Sequence, residues 1–176
     1  ALKDIPAGNE YSYLETPVTK VLVAPYDAKQ IYMAQISNLD KKYDPAIEPI
    51  RALYDEYFGG GMNSIVFQEM RETRGLAYSA WASIMPPSYL KYPYVLRTQI
   101  ATQNDKMIDA VTTFNDIINN MPESEAAFKL AKDGLTNRLR TERIIKGDII
   151  WSYINAQDLG QNVDPRIKLY NDIQNM

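Results

Sequence analysis

The sequence contains neither cysteine nor histidine. Without cysteine, the chain has no disulfide, no thiolate nucleophile and no cysteine-liganded metal site. Without histidine, it cannot hold a Ser-His-Asp or Cys-His catalytic group or a histidine-liganded zinc ion. A carboxylate-only magnesium or calcium site remains chemically possible, but the sequence has no Asp/Glu cluster with the spacing of a ligand loop. We therefore predict that the chain carries no metal site.

Runs of one charge and long apolar runs are also missing. The net charge is −3 and no Lys/Arg run stands out, so the sequence lacks the basic footprint of a nucleic-acid-binding protein. No stretch approaches the ~20 apolar residues that span a membrane. The length of 176 residues, 45% of them hydrophobic, predicts one folded domain. We expect residues 1–17, which contain Pro6, Gly8 and Pro17, to form a connector and residues 18–176 to form that domain.

Apolar periodicity, with Gly and Pro as boundaries, predicts the element order β-β-α-α-β-β-α-α-α-α. The predicted strands are 18–24, 31–37, 76–84 and 94–101, of which the first two form a hairpin. The predicted helices are 45–59, 63–74, 104–121, 123–146, 148–159 and one that begins at residue 165. Strands in hairpin pairs indicate the α+β class, an antiparallel sheet with helices on one face. Because no closing strand follows the last helix, we expect a longer natural protein, truncated here at its C-terminus.

A glycine run, Gly59, Gly60 and Gly61, precedes the second predicted helix. Glycines before a helix N-terminus can bind an anion. The Lys-[Ser/Thr] pair of a phosphate-binding loop is absent, however, and no predicted strand leads into the glycines. The sequence therefore favours a structural role, a tight turn between two helices whose backbones pack closely.

Arg71 and Tyr78 lie on either side of a predicted chain reversal at Gly75. Their side chains could therefore converge on one point. A guanidinium offers a forked donor to a carbonyl or carboxylate, and a phenol can donate to a developing oxyanion. Alternatively, Arg71 is an ordinary cation at a helix C-terminus and Tyr78 a half-buried strand aromatic. Spacing alone leaves both interpretations open.

The segment around these residues resembles the second-half domains of the pitrilysin/insulinase zinc peptidases, which include the mitochondrial processing peptidases and the respiratory-complex core proteins. Members carry a glycine-rich turn, then Met-x-Ser-x-x-Phe-Gln-x-x-Arg, and then Arg-Gly-Leu-Ala-Tyr-Ser. The corresponding residues here are Gly59–Ser64, Phe67–Glu69, Arg71 and Arg74–Ser79. The predicted element order agrees with the family from about Val18 onward.

The resemblance implies a function. In this family the catalytic half carries His-x-x-Glu-His and a distal Glu, which bind zinc and activate water. A chain without histidine resembles instead the zinc-free half, which closes over the catalytic half to form a chamber. That half supplies an Arg and a Tyr, seven residues apart, which hold the substrate backbone and assist the oxyanion. Arg71 and Tyr78 have this spacing, and the pattern gives structural roles to Arg74, as an ion-pair or surface cation, and to Gly75, through its backbone freedom.

The predicted strand after Gly75 suggests how a peptide would bind. Tyr78, Ala80 and Ala82 would share one face of the strand, and the small alanines would leave room for a peptide beside the phenol. If the strand lies at the sheet edge, it could also pair with an extended substrate by β-augmentation. Such a peptide would be held mainly through its backbone, with loose sequence preference.

The sequence leaves three functions open. The first is a substrate-gripping, chamber-forming domain of a zinc-dependent endopeptidase, with no catalytic residue or cofactor of its own and zinc in a partner domain. The second is a structural or assembly module of a protein that has lost peptidase activity. The third is a peptide-binding domain without a catalytic partner. We expect an extended peptide and a zinc-bearing half-domain as partners, no nucleic acid, no hydrolysis by the chain alone and, from the resemblance only, a bacterial periplasm or cell envelope location.

Overall fold

The computed structural model of the chain describes residue 15 and residues 17–176, so most of the predicted connector lies outside the described residues. The strands are β1 (Gln30–Lys42), β2 (Ser79–Met85) and β3 (Pro93–Gln103). The helices are α1 (Glu48–Tyr54), α2 (Ile65–Phe67), α3 (Met107–Asn119), α4 (Glu125–Thr141), α5 (Ile149–Asp158) and α6 (Pro165–Gln174). π-Helical turns extend α1 over Asp55–Gly59 and α2 over Gln68–Thr73, and 3-10 turns precede α3 (Asn104–Lys106) and α5 (Lys146–Asp148).

The three described strands form an antiparallel sheet in the order β1-β3-β2. Ile100 on β3 lies opposite Met33 on β1 and Ala80 on β2, and this row faces the helices. The next row along β3, centred on Gln99, faces away from them because side chains alternate along a strand. On that open face Tyr32 and Ile36 of β1 are mostly exposed. The predicted α+β class, an antiparallel sheet with helices on one face, is confirmed.

The predicted hairpin of residues 18–24 with 31–37 is wrong. Residues 18–24 form no strand, and Val21, Leu22 and Val23 are more than 80% exposed, at 82%, 91% and 84%. β1 pairs instead with β3, from Gln30 to Asn38 without interruption. Strand propensity mainly expresses how well a side chain packs on neighbouring strands. A β-branched run therefore does not become a strand where the described structure places no partner beside it.

Several helix ends follow the sequence signals, and others do not. Ser124 and Asp164 cap α4 and α6, accepting hydrogen bonds from the backbone amides of Ala127 and Arg166 at 3.2 and 3.0 Å. α1 begins at Glu48 rather than at residue 45, because residues 45–47 form a separate turn in which the Asp44 side chain accepts a hydrogen bond from the Ala46 amide. α4 ends at Thr141, five residues before the predicted end.

Two threonines on β3 allow a matched test of this core. Thr98 and Thr102 are 0% and 2% exposed. The Thr102 hydroxyl donates to the Leu76 carbonyl at 2.5 Å, whereas the Thr98 hydroxyl has no hydrogen-bond partner within the described residues. A buried hydroxyl without a partner costs stability, and one with a partner adds about 1 kcal/mol. In urea unfolding we expect Thr98→Val to be neutral or stabilising and Thr102→Val to destabilise by about 1–2 kcal/mol. Equal losses from both variants would contradict this assignment.

Candidate functional site

The chain reverses tightly between α2 and β2, and hydrogen bonds fix the reversal at both ends. Gly75 has a φ of +57°, a left-handed conformation that side chains with a Cβ adopt at a cost. The amides of Leu76 and Ala77 both donate to the carbonyl of the fully buried Met70, at 2.8 and 3.1 Å. The Tyr78 amide donates to the Ala101 carbonyl on β3 at 2.8 Å. The residues on either side of Gly75 are therefore held close together.

This reversal brings Arg71 and Tyr78 together at the surface. The Arg71 guanidinium carbon lies 5.4 Å from the centre of the Tyr78 ring and 5.2 Å from the centre of the Phe67 ring. The Tyr78 side chain is 67% exposed and that of Arg71 is 45% exposed. An exposed Glu72 carboxylate lies 3.6 Å from Arg71 Nε, and exposed pairs of this kind contribute little. The guanidinium and the phenol are thus neighbours that both face solvent. Hydrogen-bond donors need this accessibility to bind a ligand.

The glycine run before α2 is explained by packing at two of its three positions. A Cβ on Gly59 would lie 2.1 Å from the Ala82 carbonyl oxygen, and one on Gly60 would lie 2.6 Å from the Asp55 carbonyl oxygen. A Cβ on Gly61 would meet nothing within 4 Å. Ser64 caps the start of α2, its side chain accepting a hydrogen bond from the Phe67 amide at 3.3 Å. These contacts support a structural turn rather than an anion site.

The alanines after Tyr78 do not open space for a peptide. Ala80 and Ala82 are 6% and 0% exposed, whereas Tyr78 is 67% exposed. Small side chains on this face of β2 allow the helix end at Gly59 to approach the strand backbone. The prediction that they leave room beside the phenol is therefore wrong, because their space is filled by the protein's own core.

The outer edge of β2 is also occupied. β2 is an edge strand among the described strands, but the helix formed by α1 and its π-helical turn runs beside it. The Ile84 amide donates to Asp55 Oδ1 at 2.8 Å, and Arg51 Nη1 donates to the Ile84 carbonyl at 3.1 Å. Gly59 lies against the backbone N and O of Ala82. The suggested pairing of a substrate strand with β2 is thus blocked at Ala82 and Ile84, since α1 covers those backbone groups.

The surroundings of the site supply cations but no metal ligands. Arg74 forms an exposed ion pair with Glu69 at 3.3 Å, and Lys106 donates to the Gly75 carbonyl at 3.1 Å. Over residue 15 and residues 17–176, no three carboxylates come together in a way that would hold a metal ion. In the same part of the chain, every helix is too short or too polar to cross a membrane.

Residues 12–135 match the sequence family described as the peptidase M16 inactive domain. The chain belongs to this family. The resemblance read from the glycine turn and the Arg-Gly-Leu-Ala-Tyr-Ser run is therefore confirmed. This M16 inactive domain is a non-catalytic domain of a metallopeptidase family, and no curated protein matches its sequence.

Solved structures share the fold of this M16 inactive domain. One is a peptidase M16 inactive domain from Pseudomonas fluorescens, 16% identical, with a TM-score of 0.63 over 86% of this chain. The inactive peptidase domain of a protein described as a zinc protease from Bordetella parapertussis is 12% identical, with a TM-score of 0.58 over 88% of this chain. A protease from Helicobacter pylori is 11% identical, with a TM-score of 0.58 over 84% of this chain. The chain spans 35%, 82% and 35% of these three structures, respectively.

Sequence reasoning missed one neighbour of the site. Phe67 belongs to the sequence motif, but the motif says nothing of its contact with the Arg71 guanidinium. The signal was present, because residues four apart on a helix lie on the same side and can interact. Tertiary structure then adds the Tyr78 ring, which no local spacing rule places against Arg71.

Proposed function

We propose that this M16 inactive domain grips peptide substrate for a zinc-dependent endopeptidase whose metal lies in a partner domain, and that it forms part of the chamber around that substrate. Membership of the inactive family supports a non-catalytic role. The proposal of substrate gripping depends on one observation. Arg71 and Tyr78 meet at the surface, with the guanidinium carbon of Arg71 5.4 Å from the centre of the Tyr78 ring.

The chemistry of the pair suits a peptide backbone. A guanidinium presents several N–H groups along its edge and can donate to one or two carbonyl oxygens at once. A phenol hydroxyl can donate to the oxyanion that develops when water attacks the scissile carbonyl. Since every peptide has backbone carbonyls, we expect binding with loose sequence preference. The zinc-bound water and its general base would come from the partner domain.

The surface of the domain supports association with another protein or domain. On α5, the side chains of Ile149, Ile150, Trp151 and Tyr153 are 54–67% exposed. Several large apolar side chains exposed on one short helix favour a contact with another protein or domain. A zinc-bearing half-domain is the partner that the proposed function requires.

The test uses the domain together with its zinc-bearing half. We expect Arg71→Ala and Tyr78→Phe each to lower kcat/KM by about tenfold or more, the effect of losing one donor that stabilises the transition state. The control is Arg74→Ala, which removes a neighbouring exposed arginine that pairs with Glu69. It should leave kcat/KM unchanged. The isolated chain should not hydrolyse peptides, with or without added zinc.

Other outcomes would point to the other functions. If the assembled protein forms but neither Arg71→Ala nor Tyr78→Phe changes turnover or peptide binding, the gripping role is wrong and an assembly module fits better. Peptide binding by the isolated chain, with no hydrolysis in any combination, would instead favour a binding domain without a catalytic partner.

A further inference from the structure

We infer that Phe67 is a positioning residue, which together with the ring of Tyr78 holds the Arg71 guanidinium between two aromatic side chains. This inference rests on the proposed function, in which the guanidinium binds substrate. It also gives Tyr78 two separable roles, because its ring orders Arg71 and its hydroxyl is the donor.

The two rings approach the guanidinium at almost the same distance, 5.2 Å for Phe67 and 5.4 Å for Tyr78, measured from the guanidinium carbon to each ring centre. Both distances lie within the ~6 Å range of cation–π contact. The rings belong to different elements. Phe67 ends α2, where its amide is bonded to Ser64, and Tyr78 precedes β2, where its amide is bonded to Ala101. The two sides of the clamp are thus fixed independently.

Such a clamp has a physical consequence for binding. An exposed arginine has a long, flexible side chain, and ordering it on a ligand costs conformational entropy. Aromatic rings contact the flat faces of a guanidinium and leave the N–H groups along its edge free for hydrogen bonds. The Glu72 carboxylate is a weak alternative anchor at 3.6 Å because both side chains of that pair are about half exposed. The rings are therefore what orders Arg71 before substrate arrives.

The first test replaces Phe67 by leucine in the full chain. We expect the NMR order parameter of the Arg71 Nε–H group to fall. We also expect a short, extended, fluorescein-labelled peptide of alanine, serine and glutamine to bind about two- to fivefold more weakly, as the loss of one exposed cation–π contact implies. Phe67→Tyr and Phe67→Trp keep an aromatic face and should restore both values. If Phe67→Leu does not fold, Phe67→Met preserves more of the volume without a ring and serves instead.

The matched control is Phe128→Leu. Phe128 is a partly exposed phenylalanine on α4, and its ring contacts Tyr57 rather than Arg71. This variant should change neither the Arg71 order parameter nor peptide affinity. A fall in both would mean that general loosening of the fold, and not the clamp, accounts for the Phe67 result.

The second test separates the two roles of Tyr78 in the assembled peptidase. Tyr78→Phe keeps the ring, so Arg71 should stay ordered while kcat falls and KM changes little. Tyr78→Leu removes ring and hydroxyl, so the Arg71 order parameter should fall, kcat should fall and KM should rise. Indistinguishable Arg71 order in the two variants would overturn the clamp.

Failure of the inference can be told from failure of the proposed function. If Arg71→Ala weakens peptide binding but Phe67→Leu alters neither Arg71 order nor affinity, the clamp is wrong and the gripping role stands. If Arg71→Ala leaves peptide binding and turnover unchanged, the gripping role is wrong, while the order parameter in Phe67→Leu still reports whether the clamp exists.

Discussion

Replacing Gly59 with alanine is expected to destabilise the domain by at least about 3 kcal/mol, a large part of the total stability of a single domain. The new Cβ would lie 2.1 Å from the Ala82 carbonyl oxygen and 2.6 Å from the Ala82 nitrogen. These are backbone atoms of a hydrogen-bonded strand, so they cannot move aside as a flexible side chain would. The end of the α1 helix would have to move off the sheet, taking with it the fully buried Phe58 beside Gly59.

The same glycine run offers the control. Gly61→Ala places a Cβ in open space, and the φ of Gly61 is not positive. It should be neutral or stabilise the domain by up to about 1 kcal/mol, through the smaller conformational entropy of the unfolded chain. Urea unfolding of both variants measures the difference. Similar free energies of unfolding for the two variants would show that Gly59 does not make the close contact described.

Replacing Asp55 with alanine should have the second largest effect, a loss of about 3 kcal/mol. Its carboxylate accepts hydrogen bonds from the Ile84 amide at 2.8 Å and the Ser83 hydroxyl at 3.0 Å, and pairs with Arg51 at 2.8 Å. The Asp55 side chain is only 19% exposed, so its removal leaves the Ile84 amide and the Ser83 hydroxyl without their acceptor in a largely buried place. The outer edge of β2 would also become available for pairing with other chains, and we expect increased aggregation.

Two variants control this experiment. Asp55→Asn keeps an acceptor for the Ile84 amide and should lose less stability than Asp55→Ala. Glu56→Ala breaks the adjacent ion pair with Arg138, a 2.7 Å contact in which Arg138 is mostly exposed. That loss should be under about 1 kcal/mol. If Glu56→Ala were as damaging as Asp55→Ala, the network at the β2 edge would not be what stabilises this region.

The pH dependence of unfolding gives a second measurement of Asp55. Burial raises the pKa of Asp55 above its ordinary value of 3.8, although the Ile84 amide and Arg51 oppose that shift. The folded state therefore holds this proton to higher pH than the unfolded state does. The resulting contribution to stability is full below pH 3.8 and is lost as pH rises through the folded-state pKa. Asp55→Asn should remove this part of the pH dependence, and an unchanged profile would contradict the assignment.

Sequence reasoning succeeded where local signals decide structure. The spacing of Arg71, Gly75 and Tyr78 predicted a reversal that could bring two donors together, and the structure places them side by side. The last predicted helix begins at residue 165, and α6 begins at Pro165. Sequence reasoning failed where contacts between distant segments decide which strands pair and which strand edges are covered. Nothing local in residues 18–24 shows that β1 will pair with β3, and nothing local in β2 shows that α1 will cover its edge.

The residues present and their order are enough to exclude imidazole and thiolate chemistry, to predict an α+β domain and to place the chain in the M16 inactive family. Those conclusions depend on which side chains exist and on their order, which folding cannot change. The folded chain was needed to show that the rings of Phe67 and Tyr78 both lie against the Arg71 guanidinium, and that the helix formed by α1 and its π-helical turn occupies the edge of β2. The Phe67–Arg71 contact follows the four-residue spacing of a helix, but the Tyr78 ring reaches Arg71 only through the backbone conformation of the reversal at Gly75. The second contact joins segments far apart in the chain, since Asp55 and Ile84 are 29 residues apart, and the pattern of neighbouring residues does not specify which surfaces such segments will share.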